Sequence, residues 1–201
     1  MNVYIWTDQK PELVLQKVLD FTTNSWWNFT MTPTQWNWAT INTSWWYCEW
    51  ASADSYGNTW NAVIWKRINA KRFWGRVKFM HPNSRHWWVI LWVRNISATN
   101  VAQGCDDYAD QNIIEIIPTS GSIVATWTVS LSANTQYYLD VKFDNWLYSC
   151  TLSDSNLNPL KTISAQTQDT IWYYSGFGWR WWVSQKTTWR VYEYREAYDN
   201  N

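Results

Sequence analysis

Hydrophobic and polar positions alternate most cleanly over 134–154, which reads NTQYYLDVKFDNWLYSCTLSD. Leu139, Val141 and Phe143 interleave with Tyr138, Asp140 and Lys142. After Asp144-Asn145 the period resumes with Tyr148, Cys150 and Leu152 against Leu147, Ser149 and Thr151. Two runs of period two joined by a short polar turn predict a β-hairpin. Each arm has one apolar and one mostly polar face, so the hairpin belongs to an antiparallel sheet with one side on a core and the other toward solvent or a ligand.

The period recurs along the chain. In Arg72–Met80, Phe73, Gly75, Val77 and Phe79 alternate with Arg72, Trp74, Arg76 and Lys78, which predicts a strand with one basic and aromatic face. The nearly continuous apolar run 87–95 predicts a central strand covered on both faces. Shorter strands are predicted at 3–6, 28–32, 38–41, 45–48, 62–65, 112–117, 123–130, 161–163, 173–177 and 189–194, with polar turn residues between them. Pro11 suits a helix start, so 11–19 is read as a helical turn or two. Short strands at roughly ten-residue spacing, with almost no helical period, are the signature of an all-β sandwich or barrel.

Composition narrows this. With 201 residues, 46% of them hydrophobic, the chain can bury one sandwich-sized core. We divide it into an N-terminal extension or docking segment, 1–18, and a single domain, 19–201. The 16 basic and 16 acidic residues cancel and form no basic stripe, which argues against nucleic acid and anionic lipid as partners. No eighteen-residue apolar run is present and the start lacks a charged segment followed by an apolar one, so neither membrane insertion nor an ordinary secretion signal is expected. The expectation is a protein made in the cytoplasm. Cys48, Cys105 and Cys150 are an odd number at wide spacing, which suits isolated thiols better than a disulfide framework or a zinc site.

The order of strands carries a resemblance. VLDFTTNSWWNFT, NAVIWKRINAKRFWGRVKFM, WVILWVRN, NTQYYLDVKFDNWLYSCTLSDSNLNPL, YYSGFGWR and WRVYEYREAYD follow one another as in the concanavalin A-like lectin/glucanase superfamily, in its laminin-G-like branch, over residues 19–195. The resemblance implies an all-β, antiparallel, two-sheet jelly-roll β-sandwich, commonly a sugar-binding, adhesive or virion-surface module. Glucanases of that superfamily place two carboxylates on one strand, since retaining hydrolysis needs an acid and a nucleophile about 5 Å apart. Glu115 stands alone, and Glu193 and Glu196 have the wrong spacing for a shared face. His81 and His86 lie in one polar loop with no nucleophile elbow. No enzyme is expected; a glucanase-type hydrolase is the weakest alternative.

Two candidate sites follow. The segment Gly104-Cys105-Asp106-Asp107-Tyr108-Ala109-Asp110-Gln111-Asn112, read as a loop, offers Asp106, Asp107 and Asp110 as oxygen ligands for calcium, although their spacing matches no EF-hand. The 21 tryptophans exceed what a core can hide, and exposed rings can stack on sugar faces while polar neighbours satisfy hydroxyls. Trp74, Arg76, Trp87, Trp88 and Arg94 are the glycan-binding candidates; the competing reading places such rings in the core or against neighbouring subunits. Combining the two partners, glycans and subunits of an assembly, gives a non-catalytic surface module of a virion, a phage-like decoration, fibre or capsid-associated protein. A free-standing lectin or adhesin is the alternative. One feature qualifies the aromatic count. Only 6 glycines occur, and Asn145-Trp146 stands at a hairpin tip that Asn-Gly would suit. That combination raises the hypothesis of a reassigned UGA codon, with some tryptophans being glycine in the organism.

Overall fold

The computed structural model describes residues 12–20, 30–33, 40–44, 47–51, 59–81, 87–90, 103–108, 111–116, 125–166, 172–181 and 188–199. Among them every regular element is a β-strand: β1 (Gln16–Asp20), β2 (Thr30–Pro33), β3 (Thr40–Ser44), β4 (Tyr47–Ala51), β5 (Thr59–Ala70), β6 (Arg72–Met80), β7 (Trp87–Ile90), β8 (Gln103–Tyr108), β9 (Gln111–Ile116), β10 (Ala125–Val129), β11 (Gln136–Asp144), β12 (Leu147–Ser153), β13 (Pro159–Gln166), β14 (Trp172–Trp181) and β15 (Thr188–Tyr198). They form an eight-stranded sheet, β13-β12-β11-β6-β15-β4-β3 with β1 also on β15, and a seven-stranded sheet, β10-β9-β8-β7-β14-β5-β2. Every pairing is antiparallel.

The alternation that predicts the strands also packs the sheets. The inward positions of β6 and β11, Phe73, Val77, Phe79, Leu139, Val141 and Phe143, share a core with Tyr148, Cys150 and Leu152 of β12 and Val191 and Tyr194 of β15. Ile114 and Ile116 of β9 and Phe177 of β14 enter it from the other sheet. Each such side chain contributes roughly 1.5–3 kcal/mol by leaving water. The sandwich is also bridged at its side, where Lys161 of β13 sits 3.5 Å from the ring centre of Trp127 on β10.

Two expectations are corrected. The 11–19 segment holds no helical turn: 12–15 are irregular and 16–20 form β1, paired with Glu193–Glu196 of β15. So short a helix is marginal in water, whereas β15 offers a row of backbone donors and acceptors. The acidic segment is likewise not a loop, since Asp106 and Asp107 are consecutive positions of β8, opposite Ile113 and Asn112 of β9. The calcium candidates Asp106 and Asp107 thus stand at the end of β8. Asp110 lies outside the described residues, as do the 3–6 strand, His86 and the 91–95 end of the apolar run.

The β12–β13 turn is built by Asp154. Its carboxylate accepts from the Asn156 and Asn158 backbone N–H groups at 2.8 and 2.9 Å and from the Asn158 side-chain amide at 2.9 Å. The Asn158 side chain, then its backbone, hold this carboxyl below its ordinary value. A carboxyl depressed on folding stabilises the turn above the ordinary carboxylate range and loses that contribution as pH falls through the depressed value. An NMR titration of the Asn158 amide is expected to show a midpoint below 3.8, absent in Asp154→Asn. An unchanged curve in the variant would refute the assignment.

Candidate functional site

The site forms because period two and strand register act together. Trp74, Arg76 and Lys78 are outward positions of β6, between the buried Phe73, Gly75, Val77 and Phe79. The β6–β11 register sets Lys142 opposite Trp74, Asp140 opposite Arg76 and Tyr138 opposite Lys78. Six side chains, three from each of two strands whose facing residues lie sixty or more positions apart in sequence, thus share one face of the eight-stranded sheet.

Asp140 is the anchor. Although on the outer face it is only 5% exposed, because its neighbours close over it. Its Oδ1 accepts from Trp74 Nε1 and from Arg76 Nε, both at 2.8 Å. Charge-assisted bonds of this kind are about twice as strong as neutral ones, so they hold the indole and guanidinium in fixed orientations. Arg76 is itself mostly covered. The same negative charge reaches through the sheet: burial first, then Asp140, pushes the Cys150 thiol far up, which leaves it an inert core residue.

Cations and rings alternate along the face. Lys142 Nζ lies 4.2 Å from the Trp74 ring centre, and Arg76 Cζ lies 5.6 Å from Trp74 and 5.7 Å from Tyr138. Lys78 Nζ lies 5.4 Å from Tyr138 and 6.0 Å from Tyr192. Each such contact is worth about 0.5–1 kcal/mol where water has access. Tyr192 joins the row at a bulge, where the β15 register slips between Val191 and Glu193. Beside it Arg195 and Glu193 form a two-bond pair at 2.9 and 3.2 Å. On the other flank the Thr151 and Thr162 hydroxyls meet at 2.9 Å and extend the face with small polar groups.

The inner side of β15 carries a different polar group. Tyr194 donates to Glu196 at 3.0 Å, with both residues buried. Burial and the Glu196 charge push the tyrosine hydroxyl well above its ordinary range. Glu196 pairs with Gly75, whose missing side chain leaves room for a carboxyl inside the sandwich. This group faces the core, away from the outer face.

Of the five sequence-derived glycan candidates, the structure brings together Trp74 and Arg76. Trp87 and Trp88 belong to β7, in the seven-stranded sheet, paired with β14 and β8. Arg94 lies outside the described residues. Sequence reasoning missed Lys78, Tyr138, Asp140, Lys142 and Tyr192 as site residues. The signal for three of them was present in the polar face of the 134–154 hairpin; what was missing was the register that lays it beside β6. Among the described residues, no three His, Cys, Asp or Glu side chains are grouped so as to hold a metal ion, and no helix is long and apolar enough to cross a membrane.

No protein family matches the sequence, and no curated protein matches it. Solved structures do match. A lectin from Bauhinia forficata in complex with GalNAc gives a TM-score of 0.66 at 8% identity, over 94% of this chain and 99% of that one. A Lotus tetragonolobus seed lectin gives 0.61 at 10% identity, over 92% and 97%. The exoplasmic/lumenal domain of VIP36 in its Ca2+/Man2-bound form gives 0.64 at 11% identity, over 86% and 81%. The chain therefore has the concanavalin A-like lectin fold, an antiparallel β-sandwich, as the strand order implied. Identities this low establish the fold and nothing finer.

Proposed function

We propose that the protein is a non-catalytic carbohydrate-binding module that seats a sugar ring on Trp74. The observation that carries this reading is the indole fixed by Asp140 on a sheet face whose other outward groups are cations, phenols and hydroxyls. A ring held in one orientation loses little entropy on binding, and its face suits the C–H side of a pyranose while the surrounding donors take the hydroxyls. Asp140 is committed to two donors, which makes it an orienting group and not a proton shuttle. The lectin neighbours support the reading at the level of fold.

A glycan array probed with the purified chain is expected to give a defined set of sugars, and Trp74→Ala to weaken their binding roughly tenfold or more, as loss of a central aromatic anchor does. An empty array, or a Trp74→Ala variant that binds as well, would overturn the proposal. A narrower setting, the surface of a virion or other assembly, is favoured by Trp127, Leu157 and Leu160, which are 56%, 45% and 47% exposed near the β10 and β13 edges and would be covered by a neighbouring subunit. Light scattering on the array sample separates a monomer from that assembly.

A further inference from the structure

The cations of the site face are not equivalent. Arg76 is neutralised by Asp140 at 2.8 Å and Arg195 by Glu193 at 2.9 Å, while Arg72 lies 3.7 Å from Asp144 and 4.0 Å from Asp199. Lys78 and Lys142 differ: among the described residues neither has a carboxylate within ion-pair distance, and their contacts are with rings. Glu193 is opposite Lys78 in register, yet it is the carboxylate bound through both oxygens by Arg195. Asp140 and Asp144 flank Lys142 along β11, yet they serve Arg76 and Arg72. Two positive charges are thus left over, and the strand rise puts the Cα positions of Lys78 and of Trp74, which faces Lys142, roughly 13 Å apart along β6.

Resting on the carbohydrate reading above, we propose that the ligand of this face is an acidic sugar chain, a polysaccharide bearing carboxylate or sulfate groups, lying along β6 and β11. Its anionic groups meet Lys142 at one end and Lys78 at the other. Between them sit Trp74 and Tyr138, whose ring faces suit pyranose rings, and the Arg76–Asp140 pair, which offers directed polar atoms to hydroxyls. A lysine whose partners are aromatic rings is not committed to a carboxylate, so an anion is recruited without breaking an ion pair. A bare neutral sugar would use the rings and leave both charges unanswered. The zero formal net charge of the chain means that this local excess, and not a global field, selects the ligand.

Affinity electrophoresis of the full chain through gels containing polygalacturonate, dextran sulfate, neutral dextran or no polymer tests the proposal, with single-stranded oligodeoxythymidine as a polyanion without an acidic sugar unit. Retardation is expected by polygalacturonate or by dextran sulfate, which also tells carboxylate from sulfate, and it should weaken as salt is added. The Lys78→Gln/Lys142→Gln double variant is expected to lose about tenfold in affinity, and the Lys78→Arg/Lys142→Arg variant to recover it with an unchanged circular dichroism melt. Equal retardation by neutral dextran, insensitive to both lysines, would overturn the acidic-chain proposal and leave the carbohydrate reading standing. Oligodeoxythymidine bound as tightly as the acidic polymers would overturn it in favour of a general polyanion site. No retardation by either acidic polymer would overturn the acidic-chain proposal, while the glycan array decides the carbohydrate reading separately.

Discussion

Replacing Asp140 by alanine is expected to lower stability by about 2–3 kcal/mol, a fall of about 4–12 °C in the thermal midpoint for a chain of this size. The carboxylate is 5% exposed and accepts two bonds at 2.8 Å, so its loss leaves a mostly covered guanidinium without its counter-charge and an indole N–H without its acceptor. Breaking a fully buried pair costs more, about 3–5 kcal/mol, but the Arg76 side chain keeps 20% of its exposure and recovers part of the difference through water. Asp140→Asn, which keeps an acceptor and loses the charge, is expected to fall between the two. A double replacement, Asp140→Leu with Arg76→Met, should regain most of the loss, since an ion pair and an apolar pair of similar volume are often equal. Calorimetric melts of the four proteins check this, and an Asp140→Ala midpoint within about 1 °C of the parent would show that the pair carries no weight.

Trp146→Gly is expected to do the opposite and stabilise the chain by about 1 kcal/mol, raising the midpoint by about 2–4 °C. Asn145 and Trp146 have φ of 44° and 81°, so the β11–β12 hairpin is closed by two left-handed residues, as in a type I′ turn. A side chain at the second position costs about 1–2 kcal/mol through its Cβ, and glycine, despite its larger entropy loss, avoids that cost. The Trp146 ring is 57% exposed and gains little in return. The same turn sharpens the reassigned-codon hypothesis, for which the expected peptide mass spectrum of the natural protein reads glycine at 146; tryptophan there would refute it. Trp74 carries no such backbone strain. That residue lies within β6, outside the positive-φ group, and its indole N–H has an acceptor at 2.8 Å.

What could be read in advance follows the physics of each element. The Arg72–Met80 strand was legible to its ends because its alternation is strict and one face is fully apolar. The 134–154 hairpin was legible because its inward and outward sets are chemically unlike. By contrast β8, Gln103–Tyr108, reads as a loop because Gly and Asp disfavour strands, and pairing with β7 and β9 overrides that local preference. β5 runs over Thr59–Ala70, well beyond the apolar core 62–65 that betrayed it, since β2 and β14 supply pairing along its flanks. The site was half legible for the same reason. Trp74 and Arg76 stand out within β6, whereas their link to Asp140 depends on a register set some sixty-four positions away. Local pattern contains no term for that.

The pairing of β1 with β15 has a consequence in time. Asp20 meets Glu193, about 170 residues later in the chain. At ribosomal rates of about 5–20 residues per second, β1 waits roughly 10–35 s after its own synthesis before its partner strand exists. The local meander β11-β12-β13 can close during that wait, because its contacts are short in sequence. β15 is the keystone: it lies between β6 on one side and β4 and β1 on the other, so until it emerges the eight-stranded sheet is three pieces, β13-β12-β11-β6, β4-β3 and β1, with open edges. The nascent chain is therefore most exposed to unwanted strand pairing just before β15 is added, and a chaperone that shields strand edges would serve it best at that moment.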